Sequence, residues 1–151
     1  MRLARRVAIL LCLAAAGCAA PAPIEPPPGA EEGLPGVDWS RAETVSVSLS
    51  EFAFSPTAIT LRGGHPVRLR LVNSGKIAHD FTSPDFFRSV ALRPEDETGV
   101  RALAAGGTVE VPAGQTRELL LVPLSPGRYA FECSHPFHAT LGMRGEVVVT
   151  S

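Results

Sequence analysis

The segment Cys133-Ser134-His135-Pro136-Phe137-His138-Ala139-Thr140-Leu141-Gly142-Met143 gathers a thiol, two imidazoles and a thioether on one short stretch. These are soft to borderline donors, the kind that suits copper, and two His, one Cys and a weak axial Met make up a recognised copper arrangement. Cys133, His138 and Met143 can come from one loop, whereas a second imidazole must arrive from a distant strand; His79 fits. Other chemistries use some of the same residues. Zinc accepts Cys133, His135, His138 and His79 but leaves Met143 without a role. A Cys–His nucleophile needs an oriented pair and an oxyanion hole, for which no further motif speaks. Cys133 could also be an inert core thiol, since strand alternation points it inward. His135 reads as an exposed neighbour of the site or as an extra ligand. His65, in Gly63-Gly64-His65-Pro66, reads as an exposed turn residue.

The other cysteines sharpen the case. Arg2, Arg5 and Arg6 precede an apolar run from Val7 to Ala16, a charged and then hydrophobic leader too short to be a lasting membrane span. Ala15-Ala16-Gly17-Cys18 resembles a lipobox, with Ala15 in place of the usual large aliphatic residue. Residues 1–17 are thus expected to be a lipoprotein-type signal, with Cys18 as the lipidated first residue. Ordinary secretion, with cleavage near Ala20, is the alternative. Cys12 leaves with the leader, so Cys133 is alone in an oxidising compartment. Residues 18–37 are rich in proline and read as an extended linker from the membrane. Loss of three arginines leaves 11 Lys+Arg against 15 Asp+Glu, a net charge of −4, which offers nothing to nucleic acid.

The elements that must position these donors occupy residues 38–151, enough for one small domain. Alternation marks strands at 44–49, 58–61, 67–72, 77–82, 108–111, 117–122, 129–133 and 145–150, punctuated by Gly and Pro. About eight short strands predict an all-β sandwich. Ser83-Pro84-Asp85 has the composition of a helix start, and Phe86, Phe87, Val90 and Ala91 follow helical spacing. Residues 83–106 are therefore expected to be a short helical insertion.

Near the C-terminus, Cys-x4-His-x4-Met with an upstream Asn-x5-His resembles the cupredoxin family of plastocyanin, azurin and rusticyanin. Pro126-Gly127-Arg128-Tyr129-Ala130-Phe131-Glu132-Cys133 and Gly142-Met143-Arg144-Gly145 resemble the family's Pro-Gly-x-Tyr-x-Phe-x-Cys strand and Gly-Met-x-Gly end. The resemblance covers about residues 43–150. It implies a Greek-key β-sandwich with one copper ion at one end, held by His79, Cys133 and His138 with Met143 axial. Asp80 stands where the family often has Asn, and is expected to accept a hydrogen bond from the Ser134 amide.

This resemblance implies a monomeric one-electron carrier rather than an enzyme, cycling between Cu(I) and Cu(II). His138 would be the electron's exit, and Phe137, Ala139 and Leu141 a weak docking patch. Partners would be periplasmic or membrane redox proteins such as cytochromes. A second expectation keeps the same site but gives it a role in copper trafficking, oxidase assembly or copper tolerance, with copper-trafficking proteins as partners. Both place the protein in the periplasm, free or anchored to the membrane by lipid.

Overall fold

A computed structural model of the chain describes residues 22–23, 34 and 36–151. The leader, Cys18 and most of the proline-rich segment lie outside the described residues. The rest is mostly β: β1 (Glu43–Ser50), β2 (Ala53–Ser55), β3 (Ala58–Arg62), β4 (Val67–Asn73), β5 (His79–Thr82), β6 (Val90–Leu92), β7 (Thr108–Val111), β8 (Thr116–Pro123), β9 (Gly127–Glu132) and β10 (Arg144–Thr150). One five-stranded sheet has the order β2-β1-β4-β8-β6 and the other β3-β10-β9-β5-β7. From β2 to β9 each successive strand lies in the opposite sheet, so the chain is stitched across the sandwich at every connection. Such crossing leaves β1 parallel to β4 and β3 parallel to β10, while the other pairs are antiparallel.

Alternation explains the face each strand buries. In β4, Val67, Leu69 and Leu71 are buried, while Arg68 and Arg70 face outward toward Glu118 on β8, at 3.2 Å each. Such exposed pairs are worth little, so β4 is held by its apolar face. The centre of the core is aromatic: Phe81 stacks on Phe131 at 4.6 Å, with Phe54 edge-on to both. Each fully buried Phe contributes roughly 1.5–3 kcal/mol.

The insertion differs in detail from its expected form. Helix α1 (Pro84–Phe87) is a single turn, and Val90 and Ala91 belong to β6, which pairs with β8. Helix α2 (Glu97–Ala104) follows, its first turn capped by Asp96 Oδ1, which accepts from the Thr98 and Gly99 amides. Phe86 and Phe87 are wholly buried, so their spacing serves the core. Ala53–Ser55, outside the strands expected from alternation, is the short edge strand β2, paired with the end of β1.

Two connections set up one pole of the sandwich. At the first, Asn73 ends β4 and is 1% exposed. Its Nδ2 donates to the carbonyls of Ile77 and Val111 at 2.8 Å, and its Oδ1 accepts from the Gly75 amide at 2.8 Å. Val111 is the register partner of His79, so this one amide side chain shapes the β4–β5 loop and fixes it to the strand beside His79. The second is the β9–β10 hairpin, whose ladder pairs Arg144 with Glu132 and continues through Cys133 N–H to the Met143 carbonyl at 3.1 Å.

Asn73→Ala strands the buried Val111 carbonyl, the part-buried Ile77 carbonyl and the Gly75 amide and should destabilise the fold by about 2–4 kcal/mol in urea unfolding. Asn73→Asp should not rescue it, because a carboxylate cannot donate to the two carbonyls. A loss below about 1 kcal/mol would show that the loop is held by something else.

Candidate metal centre

Three of the four candidate donors sit where an element begins or ends, and His138 lies within the loop between β9 and β10. His79 opens β5, Cys133 follows the last residue of β9, and Met143 precedes the first residue of β10. Cys133 and Met143 are thereby the closing pair of the hairpin loop. Within that loop the amides of His138, Leu141 and Gly142 donate to the carbonyls of His135, Phe137 and Ala139 in successive turns. Gly142 adopts φ +107°, a conformation open to glycine, and the Met143 amide then donates to the His138 carbonyl at 3.0 Å.

The structure brings His79, Cys133 and His138 together, with one ligand atom from each lying within 4.8 Å of the others. His79 Nδ1 and His138 Nδ1 are 3.3 Å apart, and Cys133 Sγ is 3.3 Å from His138 Nδ1. His79, Cys133 and Met143 are almost wholly buried, and His138 is 7% exposed. Atoms bonded to one ion at about 2.0–2.3 Å stand about this far apart. The donor types fit as well: two imidazole nitrogens and a sulfur face one another. His79 Nε2 is buried without a hydrogen-bond partner among the described residues. With the proton on Nε2, the Nδ1 lone pair is free to face a cation. Met143 packs beside this cluster through its backbone contacts with Cys133 and His138.

The electrostatics suit a bound cation. Burial pushes the His79 imidazole below its ordinary pKa, and the neighbouring His138 pushes it the same way, against Glu51. Burial pushes the Cys133 thiol up, opposed by the amides of Asp80 and His135. A bound metal overrides that second effect by deprotonating a coordinating thiol.

Asp80 latches the two halves of the site. Its Oδ1 accepts from the Ser134 amide and from Thr82 Oγ1, both at 2.8 Å, and its Oδ2 accepts from Ser134 Oγ at 2.7 Å. Its own amide points at Cys133 Sγ at 3.5 Å. His135 lies against this latch, with Nε2 3.5 Å from Asp80 Oδ2 and its ring stacked on His138 at 5.3 Å and 21°. The structure thus groups His135 with Asp80 and Cys133 rather than with His79. His65 is exposed and bonds locally to the Gly63 carbonyl.

Sequence reasoning missed Phe52, whose ring meets His138 edge-on at 5.0 Å. Phe52 and Phe137 are the two non-glycine residues with positive φ among the described residues, at 63° and 69°, and both flank His138. Each such conformation costs on the order of 1–3 kcal/mol, a strain typical of functional sites. Phe52, Ile77, Phe137 and Leu141 expose apolar surface at this pole.

The chain is 24% identical over 164 residues to the copper-resistant cuproprotein CopI of Pseudomonas aeruginosa, covering 86% of this chain and 88% of that protein. It is 29% identical over 115 residues to CopI of Vibrio cholerae, covering 74% and 68%. Among solved structures, auracyanin from the photosynthetic bacterium Roseiflexus castenholzii superposes with a TM-score of 0.54 at 19% identity, over 73% of this chain and 98% of that one. Auracyanin B gives 0.53 at 22% identity, over 73% and 90%. The family model for the cupredoxin-like domain matches residues 7–149, and with a two-sheet sandwich of the same fold the chain belongs to that family.

Proposed function

We propose that this protein binds one copper ion through His79 Nδ1, Cys133 Sγ and His138 Nδ1, with the Met143 thioether as axial donor, and transfers single electrons. The observation that carries this reading is the convergence of three buried soft and borderline donors at one pole. Copper supplies the Cu(I)/Cu(II) couple. The chain supplies a pocket that moves little: His79 is fixed by the ladder to β7, Cys133 and Met143 by the hairpin, and the two halves by Asp80. A rigid donor set keeps rearrangement between the two oxidation states small, and hence exchange fast. His138, 7% exposed beneath Phe52 and beside Phe137, is the nearest donor to the surface. The apolar patch around it, with Ile77 and Leu141, suits brief contact with a redox partner such as a periplasmic cytochrome.

A second reading keeps the copper site and assigns it to copper tolerance, trafficking or oxidase assembly. It is favoured by the two copper-resistant cuproproteins that match this chain. In either role the leader and Cys18 support export to the periplasm and a lipid tether, with the domain acting as a monomer. An electron carrier retains copper through redox cycling and exchanges electrons rapidly with a cytochrome, whereas a trafficking protein loses Cu(I) to an acceptor.

Cu(II) loading should produce an intense visible thiolate band and a copper EPR signal, and Cys133→Ser should abolish the band. A colourless protein that prefers zinc would overturn the proposal. Met143→Leu should keep the colour and raise the reduction potential, because a donor to Cu(II) is lost; an unchanged potential would remove Met143 from the ligand set. Stripping copper present at about 1,000 times its dissociation constant should cost about 4 kcal/mol of stability, seen as a lower melting temperature.

A further inference from the structure

The inner donors are closed in. His79, Cys133 and Met143 are essentially inaccessible and His138 nearly so, leaving a hydrated ion no direct approach to them. Beside them stands a second set: Asp80, Cys133 and His135 also bring one ligand atom each within 4.8 Å of the others. Its access differs, because the His135 side chain is 36% exposed while that of Asp80 is 4% exposed. The two sets have Cys133 in common, and the His135 ring lies stacked against that of His138.

We propose that His135, Asp80 and Cys133 form an overlapping copper-binding set at the mouth of the centre, through which the ion enters and leaves. The inference rests on the copper reading above. An arriving ion meets the His135 imidazole first. Asp80 Oδ2 accepts one hydrogen bond, from Ser134 Oγ, and faces His135 Nε2 with its remaining lone-pair capacity. Carboxylate and imidazole are acceptable ligands for an incoming divalent ion, and Cys133 then joins as thiolate, its proton released to solvent. The ion passes inward by exchanging Asp80 and His135 for His79 and His138 while it stays bonded to Cys133 Sγ. Only ligands change; no electron moves. Release runs the same path backward.

The ordinary alternative is that His135 merely pairs with Asp80 and steadies the loop, and kinetics separates the two. In the full chain, His135→Ala should leave the equilibrium thiolate band in place. It should slow both the uptake of aqueous Cu(II) by apo-protein in stopped flow and the removal of Cu(I) by a chelator, each by about tenfold or more. His135→Lys places a hydrogen-bond donor opposite Asp80 but not a copper ligand at neutral pH, so it should stay slow; recovery of the rates would assign His135 to its contact with Asp80 alone. His138→Ala should still hold copper with a shifted thiolate band, and adding His135→Ala should abolish that band. Wild-type loading followed by unchanged exchange in His135→Ala overturns the overlapping set and spares the copper centre. A wild-type chain that shows no thiolate band with Cu(II) overturns both.

Discussion

The carboxylate of Asp80 is the constraint on which this pole of the molecule depends. It takes three hydrogen bonds, two of them from Ser134, a residue 54 positions further along the chain and adjacent to Cys133. By that latch the start of β5 and the end of β9 are held at one height, and so are His79 and Cys133. Direct ladder pairing between β5 and β9 is given by Thr82 with Glu132, next to Cys133 but three residues from His79, and the latch carries the alignment on to the start of β5. In a buried setting such bonds are strong, and a carboxylate left without them would be costly. Asp80 therefore serves as a joint and also places negative charge beside the sulfur.

Hairpin register supplies the second constraint. Because the ladder runs through Arg144 and Glu132 to Cys133 and Met143, the distance between the two sulfur-bearing residues follows from strand pairing and not from the loop. The loop then needs only to turn His138 inward, and the left-handed backbone at Phe137 and Gly142 accompanies that turn. The aromatic core beneath, with Phe81, Phe131 and Phe54 in mutual contact, provides the stability against which this local strain is set.

The sequence was informative wherever a period or a fixed spacing carried the physics. Alternation in β1, β3, β4, β9 and β10 follows one-sided burial, and it was legible for that reason. By contrast β6 is buried on every residue and β2 has three residues, so neither could show a two-residue period. The helical spacing of Phe86, Phe87, Val90 and Ala91 was a coincidence: the first two face the core from a single turn and the last two from a strand. At the metal centre, the spacing in residues 133–143 was legible because one hairpin generates it, and Asp80 stood beside His79. The contact of Phe52 with His138 was not, since it joins segments from the two different sheets, nor was that of His135 with Asp80, which depends on β5 lying beside β9.

That crossing path bears on the order in which the protein can be completed. The last strand of the chain, β10, is not at an edge: it lies between β3 and β9, parallel to the first and antiparallel to the second. Its pairing with β9 is a local hairpin, but its pairing with β3 joins segments far apart in sequence, and such contacts form late because chain entropy must be overcome before they yield anything. A partly synthesised polypeptide, however much of its other sheet has condensed, thus has no finished pocket around Cys133 and Met143. Loading of the proposed centre would follow that assembly, and the Cys133 thiol stays unshielded until the seven residues of that strand have docked.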